Sequence, residues 1–285
     1  MAIKDLLVHL DTTARSGVRL DAAAAMASRH SAHLTAVYAI ELPSAALMYG
    51  DPSGYVDARL VEEILQTARE KALTDARPVE QGFRDRLRRD GIEGEWRLVE
   101  GAAAQTVALH ARYADLAILG QPDPKEIMFS SAGQIPLVTL LSSGRPVLIL
   151  PYVGTFATLG QRVLVAWKSS REAARAINDA LPLLREARSV TVLAVNPDSG
   201  IAGDGGTPAA DIALHLARHG VKAEAAHTVA TEIPEGDALL NYADDMGADL
   251  IVAGGYGHSR IREFAFGGVT RTLLTTMTVP VFLSH

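Results

Sequence analysis

The chain of 285 residues exceeds the usual size of a single domain, so two domains of roughly 140 residues each are expected. Hydrophobic residues make up 48% of the sequence and charged residues 21%, a globular balance, and the net charge of −6 argues against a nucleic-acid partner. The lack of cysteine excludes disulfides, thiolate metal sites and cysteine nucleophiles. No signal peptide or membrane-spanning run is evident, so we expect a cytoplasmic protein with no membrane partner.

The first half alternates short apolar runs, typical of buried strands, with segments of helical composition. A break or kink is expected near Pro78, inside the longest helical region. In chain order the pattern predicts a strand at 3–11, a helix at 17–33, a strand at 34–40, a helical region at 57–90, a strand at 95–101, a helix at 106–114, a strand at 115–120, a helix at 135–144 and a strand at 146–151.

The second half repeats this order. It predicts a strand at 162–167, a helix at 170–187, a strand at 189–195, a helix at 209–221, a strand at 222–229, a helix at 236–248, a strand at 249–255, a helix at 269–279 and a strand at 280–284. A constant offset of 134 places Gly120 on Gly254, Gly133 on Gly267 and Pro146 on Pro280. This internal repeat predicts a first domain at 1–152 and a second at 161–285.

Alternating strands and helices define the fold class. Strands that read as continuous apolar runs are typical of a parallel sheet covered on both faces. We therefore predict an α/β protein of two tandem doubly wound, Rossmann-like domains, each with a parallel five-stranded sheet flanked by helices. Ligands of such domains bind beyond the carboxyl ends of the strands.

A glycine-rich segment of the second half offers the best candidate site. It follows the strand at 249–255, and Gly254, Gly257, Gly267 and Gly268 would let phosphate oxygens approach backbone amides. The helix that starts near Val269 would present amide groups and its positive end to an anion. In the same segment, Thr270 would add a hydroxyl donor and His258 a contact to phosphate or ribose. A surface loop with turn glycines is the alternative interpretation.

The spacing Gly254-x2-Gly257-x9-Gly267 resembles the signature of the universal stress protein family, G-x2-G-x9-G-(S/T). The strand order and the ending VPVFLSH are also similar to that family, over nearly the whole chain as a tandem arrangement. The resemblance implies an adenine nucleotide alpha hydrolase-like fold that binds ATP, with or without Mg²⁺. The implied site residues are Ala166, Trp167, Lys168, Val195, Gly254, Gly257, His258, Gly267, Gly268, Val269 and Thr270.

Each half departs from the family pattern. In the second half, Gly268 replaces a Ser or Thr that would bind phosphate, and Lys168 stands where the family has an Asp after the first strand. In the first half, Asp11 keeps that acidic residue, but Asp123 replaces the second glycine and Gln134 follows Gly133. We therefore predict a degenerate phosphate loop in the first domain and nucleotide binding mainly in the second.

The resemblance favours a nucleotide-binding stress-response or signalling protein. A nucleotide-free interaction module, acting through dimerisation or client binding, is the alternative, and an adenylating enzyme is a weaker one. No positioned base or nucleophile is evident, so no catalytic residue is predicted and at most a weak ATPase is expected. His215 and His219 have a chelating spacing but no evident third ligand, so no metal site is predicted.

Three expectations concern partners. The resemblance implies pairing of the two domains through their last strands, at 147–151 and 281–285, within one chain or in a homodimer. Protein clients are also expected as partners, although the sequence does not identify them. Residues 42–57 break the repeat and are expected to form a lid or a contact surface.

Overall fold

A computed structural model describes residues 2–43, 58–122, 131–156, 158–197, 209–255 and 268–285. Most of the segment at 42–57 lies outside these residues. The elements of the first half are β1 (Asp5–His9), α1 (Ser16–His30), β2 (His33–Ile40), α2 (Ala58–Asp90), β3 (Gly94–Glu100), α3 (Ala103–Ala111), β4 (Leu116–Gly120), a 3-10 turn (Ser131–Gln134), α4 (Ile135–Ser142) and β5 (Val147–Leu150).

The second half repeats the alternation of strands and helices. Its elements are β6 (Arg162–Trp167), α5 (Arg171–Glu186), β7 (Ser189–Val195), α6 (Ala210–Arg218), β8 (Ala223–Thr228), α7 (Glu235–Asp245), β9 (Leu250–Gly254), α8 (Gly268–Thr276) and β10 (Val281–Ser284). No helix among the described residues is long and apolar enough to cross a bilayer.

The predicted break at Pro78 is wrong, because α2 continues through this residue as one helix, and a kink there stays a prediction. A proline inside a helix costs about 3 kcal/mol through its lost hydrogen bond and ring clash. Packing on both sides of it offsets this cost, since Ala76 and Phe83 are both buried. Ion pairs one helical turn apart, such as the one between Glu80 and Arg84 at 2.6 Å, add support.

The ten strands form a single sheet in the order β3-β2-β1-β4-β5-β10-β9-β6-β7-β8. Within each half every pairing is parallel, and both halves have the doubly wound order. The predicted fold class is confirmed, with the addition that the two five-stranded sheets are continuous. Successive residues of a central strand, such as Leu164 and Val165, are buried against helices on opposite faces.

The halves join where β5 and β10 pair antiparallel, so the last strands contact each other within one chain. Phe282 lies opposite Leu148, Val281 opposite Ile149 and Leu283 opposite Val147. Phe282 and Leu148 are also 134 positions apart, which is the repeat offset. A pseudo-twofold axis therefore passes through this pair of residues.

Reciprocal contacts flank the junction between the halves. The Gln121 side chain, which follows β4, donates to the Leu274 carbonyl of α8 at 3.0 Å and accepts from the Tyr152 amide at 3.0 Å. At the equivalent place in the second half is Gly255, where a Cβ atom would lie 2.7 Å from the Leu140 side chain of α4. Each half thus packs the residue after its fourth strand against a helix of the other.

The segment between the halves is held against α1. The Arg15 guanidinium donates to the carbonyls of Pro151 and Gly154, both at 2.7 Å. Arg29 donates to the Leu159 carbonyl at 3.0 Å. These bonds, made by the N-cap residue and by the last turn of α1, hold the two ends of the segment.

Candidate functional site

A cavity of about 420 Å³ opens at the carboxyl edge of β6, β7 and β9. This is the edge at which a doubly wound domain binds its ligands. Eight of the eleven predicted site residues line it: Ala166, Trp167, Lys168, Val195, Gly254, Gly268, Val269 and Thr270. The other three, Gly257, His258 and Gly267, lie outside the described residues.

The strands supply an apolar floor to the cavity. Leu193 and Ala253 are buried, while Ala166 and Val195 are half-buried at the ends of their strands. Leu239 of α7 adds a further apolar side chain to this floor and is also buried. A pocket of this size with an apolar floor suits a small ligand that has a flat apolar group.

Helix N-termini form the polar side of the cavity. The first turn of α8, with Gly268, Val269 and Thr270, opens onto it, as do the starts of α5 and α7. The first amides of a helix have no partner within the helix, and its positive end attracts negative charge. The arrangement therefore favours an anionic group over α8.

Of the three described glycines that line the cavity, the two predicted ones, Gly254 and Gly268, have different structural roles. A Cβ atom at Gly254 would lie 2.5 Å from the Ala173 nitrogen and 2.7 Å from the Glu172 carbonyl carbon. Gly254 is therefore required for the close packing of α5 on β9. At Gly268, by contrast, none of the residues that the structure describes would lie within 4 Å of a Cβ atom.

Sequence reasoning missed part of the cavity lining. The residues not predicted are Ser170, Ala173, Leu193, Pro234, Glu235, Gly236, Leu239, Ala253 and Thr272. One local signal existed, because Ser170 precedes a helical pattern and its hydroxyl accepts from the Ala173 amide at 3.2 Å as an N-cap. The α7 residues reach the cavity through packing on α8, which no local pattern reveals.

The corresponding edge of the first half is occupied by side chains. The Arg19 guanidinium donates to the His9 carbonyl at 2.9 Å and lies 2.6 Å from the Asp11 carboxylate. A Cβ atom at Gly120, the equivalent of Gly254, would lie 2.7 Å from an Arg19 nitrogen. The register of β1 and β6 against their neighbours places His9 and Asp11 where the second half has Ala166 and Lys168.

We expect His9 to make the first half sensitive to acid. Burial, and then the positive charge of Arg19, lower the pKa of His9 to about 4, although Asp11 opposes this shift. Because the pKa of His9 is lower in the folded than in the unfolded protein, the unfolded state takes up the proton first as the pH falls. The folded protein is therefore most stable above pH 6.5 and loses stability as the pH falls towards 4. We expect the unfolding free energy to drop by about 2 kcal/mol between pH 7.5 and pH 5 through this group.

Urea unfolding at the two pH values measures this effect. His9→Asn should remove most of the drop, whereas His227→Asn, on the exposed edge strand β8, should leave it unchanged. An equal drop in wild type and His9→Asn would show that other groups cause the acid sensitivity.

His215 of α6 and His219, the C-cap residue of that helix, contact each other. The rings of His215 and His219 are 4.6 Å apart between centroids. In the part of the chain that the structure describes, no group of three or more histidine or acidic side chains could hold a metal ion.

The two halves are thus doubly wound domains that share one sheet, and the second has a cavity at its strand ends. The model of the universal stress protein family matches residues 160–285, so the suspected family is confirmed and the second half is a universal stress protein domain. No curated protein sequence matches the chain.

Solved structures extend the likeness in fold to both halves. A universal stress protein from Archaeoglobus fulgidus is 18% identical, with a TM-score of 0.71, over 98% of this chain and 96% of that chain. A putative universal stress protein from Pseudomonas aeruginosa is 15% identical, with a TM-score of 0.59, over 99% of this chain and 93% of that chain. At these identities the comparisons establish the fold alone, and they establish it for the whole tandem chain.

Proposed function

We propose that the second half binds an adenine nucleotide, ATP, and that the protein acts in a stress response or in signalling through this binding. The observation that carries the proposal is the cavity of about 420 Å³, which combines an apolar floor with the first turn of α8. The base would lie on the floor formed by Leu193 and Val195, and the phosphates would lie at Gly268 and Thr270. Mg²⁺ would accompany the phosphates, which are its usual ligands in nucleotide sites.

We assign this binding to the second half only. In the first half, Arg19 lies over Gly120 and is held there by Asp11 and the His9 carbonyl. A nucleotide would have to displace this buried guanidinium and leave the Asp11 carboxylate without its partner, which is costly. The first half would then support the fold and supply surface for other partners.

Gly268 allows a test that separates binding from folding. Because no described residue would lie within 4 Å of a Cβ atom there, and because Asp and Ser are favourable at a helix N-terminus, we expect neither substitution to destabilise the domain. We expect Gly268→Asp to weaken ATP binding at least about tenfold through charge repulsion. We expect Gly268→Ser, which adds a phosphate hydrogen bond, to tighten binding about two- to tenfold.

Calorimetric titration with ATP and Mg²⁺ gives the affinities, and mass spectrometry of the denatured protein identifies any nucleotide that copurifies. Thermal unfolding of each variant is the control for folding. Wild-type protein that is folded but shows no heat at millimolar ATP and carries no nucleotide would overturn the proposal. So would unchanged ATP affinity in Gly268→Asp.

A nucleotide-free interaction module is the second candidate function. It is favoured by one observation, the glycine at 268, which lacks the hydroxyl that the family pattern places beside the phosphates. In this case the cavity would have no nucleotide, and dimerisation or client binding would be the activity. Failure of ATP binding in both wild type and Gly268→Ser would favour this candidate.

A further inference from the structure

Two opposite charges face the cavity of the second half. Lys168 follows β6 and is exposed, and Glu235 is the first residue of α7 and is half-buried. Neither charged group lies within 4.0 Å of an opposite charge among the described residues. Their charged groups are therefore available to a ligand rather than neutralised by the protein.

The backbone that carries Glu235 is held in place against α8. A Cβ atom on the next residue, Gly236, would lie 2.6 Å from the Thr272 Cβ atom, so α7 and α8 are in close contact here. The Pro234 carbonyl accepts from the amides of Asp237 and Ala238, each at 3.0 Å, and closes the first turn of α7. Glu235 thus has a fixed position relative to the first turn of α8, where the phosphates are proposed to bind.

The spacing along α7 directs Glu235 into the cavity. Leu239 lies four residues later, on the same helix face, and is buried in the cavity floor. Glu235 is therefore one turn above the floor, on the cavity side of α7. A ligand with its base on the floor and its phosphates at α8 would place the sugar between them, beside this turn.

The Glu235 carboxylate can accept hydrogen bonds from a sugar. A carboxylate accepts hydrogen bonds from vicinal hydroxyls, and acidic residues bind ribose in this way in dinucleotide-binding folds. Lys168 has donors only and cannot accept from a hydroxyl. Among the described residues that line the cavity, Glu235 is the single acidic side chain.

We infer that Glu235 binds the ribose hydroxyls of the nucleotide and makes the site selective for ribonucleotides over deoxyribonucleotides. This inference rests on the proposed function. It assigns the contact with the ribose to a carboxylate of α7, whereas Lys168 follows β6. Lys168 then attracts the phosphates and contributes to the binding of both classes of nucleotide alike.

The test compares ATP with 2′-deoxyATP by calorimetric titration of the full chain. Wild type should bind ATP about tenfold more tightly than 2′-deoxyATP, as expected for a hydrogen bond to a charged group. Glu235→Gln should reduce this ratio to about twofold, mainly by weakening ATP binding. Asp237→Asn, in the same helical turn but outside the cavity lining, should keep the wild-type ratio. Lys168→Met should weaken both ligands equally.

The outcomes separate this inference from the proposed function. ATP binding with the same ATP to 2′-deoxyATP ratio in wild type and Glu235→Gln would overturn the role of Glu235 and leave the proposed function standing. A loss of the ratio in Asp237→Asn as well would also overturn it, because the effect would then belong to the helix start in general. No binding of either nucleotide by folded wild-type protein would overturn both.

Discussion

Replacing Phe282 with alanine should lower the free energy of unfolding by about 3–5 kcal/mol, because it leaves a large cavity in the core. Phe282 is only 1% exposed and lies on β10 between β5 of the first half and β9 of the second. The lost side chain therefore removes packing at the point where the two halves meet. Denaturation by guanidinium chloride, followed by circular dichroism, measures the change.

Two variants calibrate this result. Phe282→Leu keeps most of the volume and should cost less than half as much, whereas Tyr113→Ala, at a residue that is 74% exposed, should stay within about 0.5 kcal/mol of wild type. A cost below about 1 kcal/mol for Phe282→Ala would mean that the junction can relax around the missing ring.

The second large effect is expected at Gly254. Its alanine variant should lose about 3 kcal/mol of stability, because the new Cβ atom would overlap the backbone of α5 at Ala173. Backbone atoms of a packed helix cannot move aside as a flexible side chain can. Thermal and denaturant unfolding of the variant measure the loss.

Gly268→Ala is the matched control, since it makes the same chemical change at the first residue of α8. The lack of any described residue within 4 Å of its Cβ atom and the helix preference of alanine predict a neutral or slightly stabilising effect. Equal destabilisation by the two substitutions would show that the loss at Gly254 does not come from its close packing against α5.

Strong local patterns explain how much of the fold could be predicted. The strands at 162–167 and 189–195 have the predicted bounds, because uninterrupted apolar runs next to charged or turn residues define buried parallel strands. The break expected at Pro78 failed for the opposite reason. Local chemistry disfavours a proline in α2, but burial of Ala76 and Phe83 on the sheet outweighs that preference.

In the candidate site, too, some residues could be predicted from local patterns and others depend on tertiary packing. Residues at the ends of strands and at the start of the last helix, such as Ala166, Val195 and Gly268, could be predicted because the fold class alone places them at one edge. Glu235 and Gly236 could not be predicted, because the contact of α7 with α8 is a tertiary one. The packing role of Gly254 was also not evident, since a glycine motif does not show which glycine faces a ligand and which faces a helix.

The antiparallel junction of β5 and β10 allows the two halves of one chain to differ at their strand ends. Two separate identical chains around a twofold axis would have to carry identical sites. Joining the partners in one polypeptide removes this requirement, so Arg19 can fill one edge while the other stays open. The tether also sets a local concentration that dilution does not change. The pairing of unlike halves thus persists at any protein concentration, while the described residues of the second half alone can keep a cavity open at this edge.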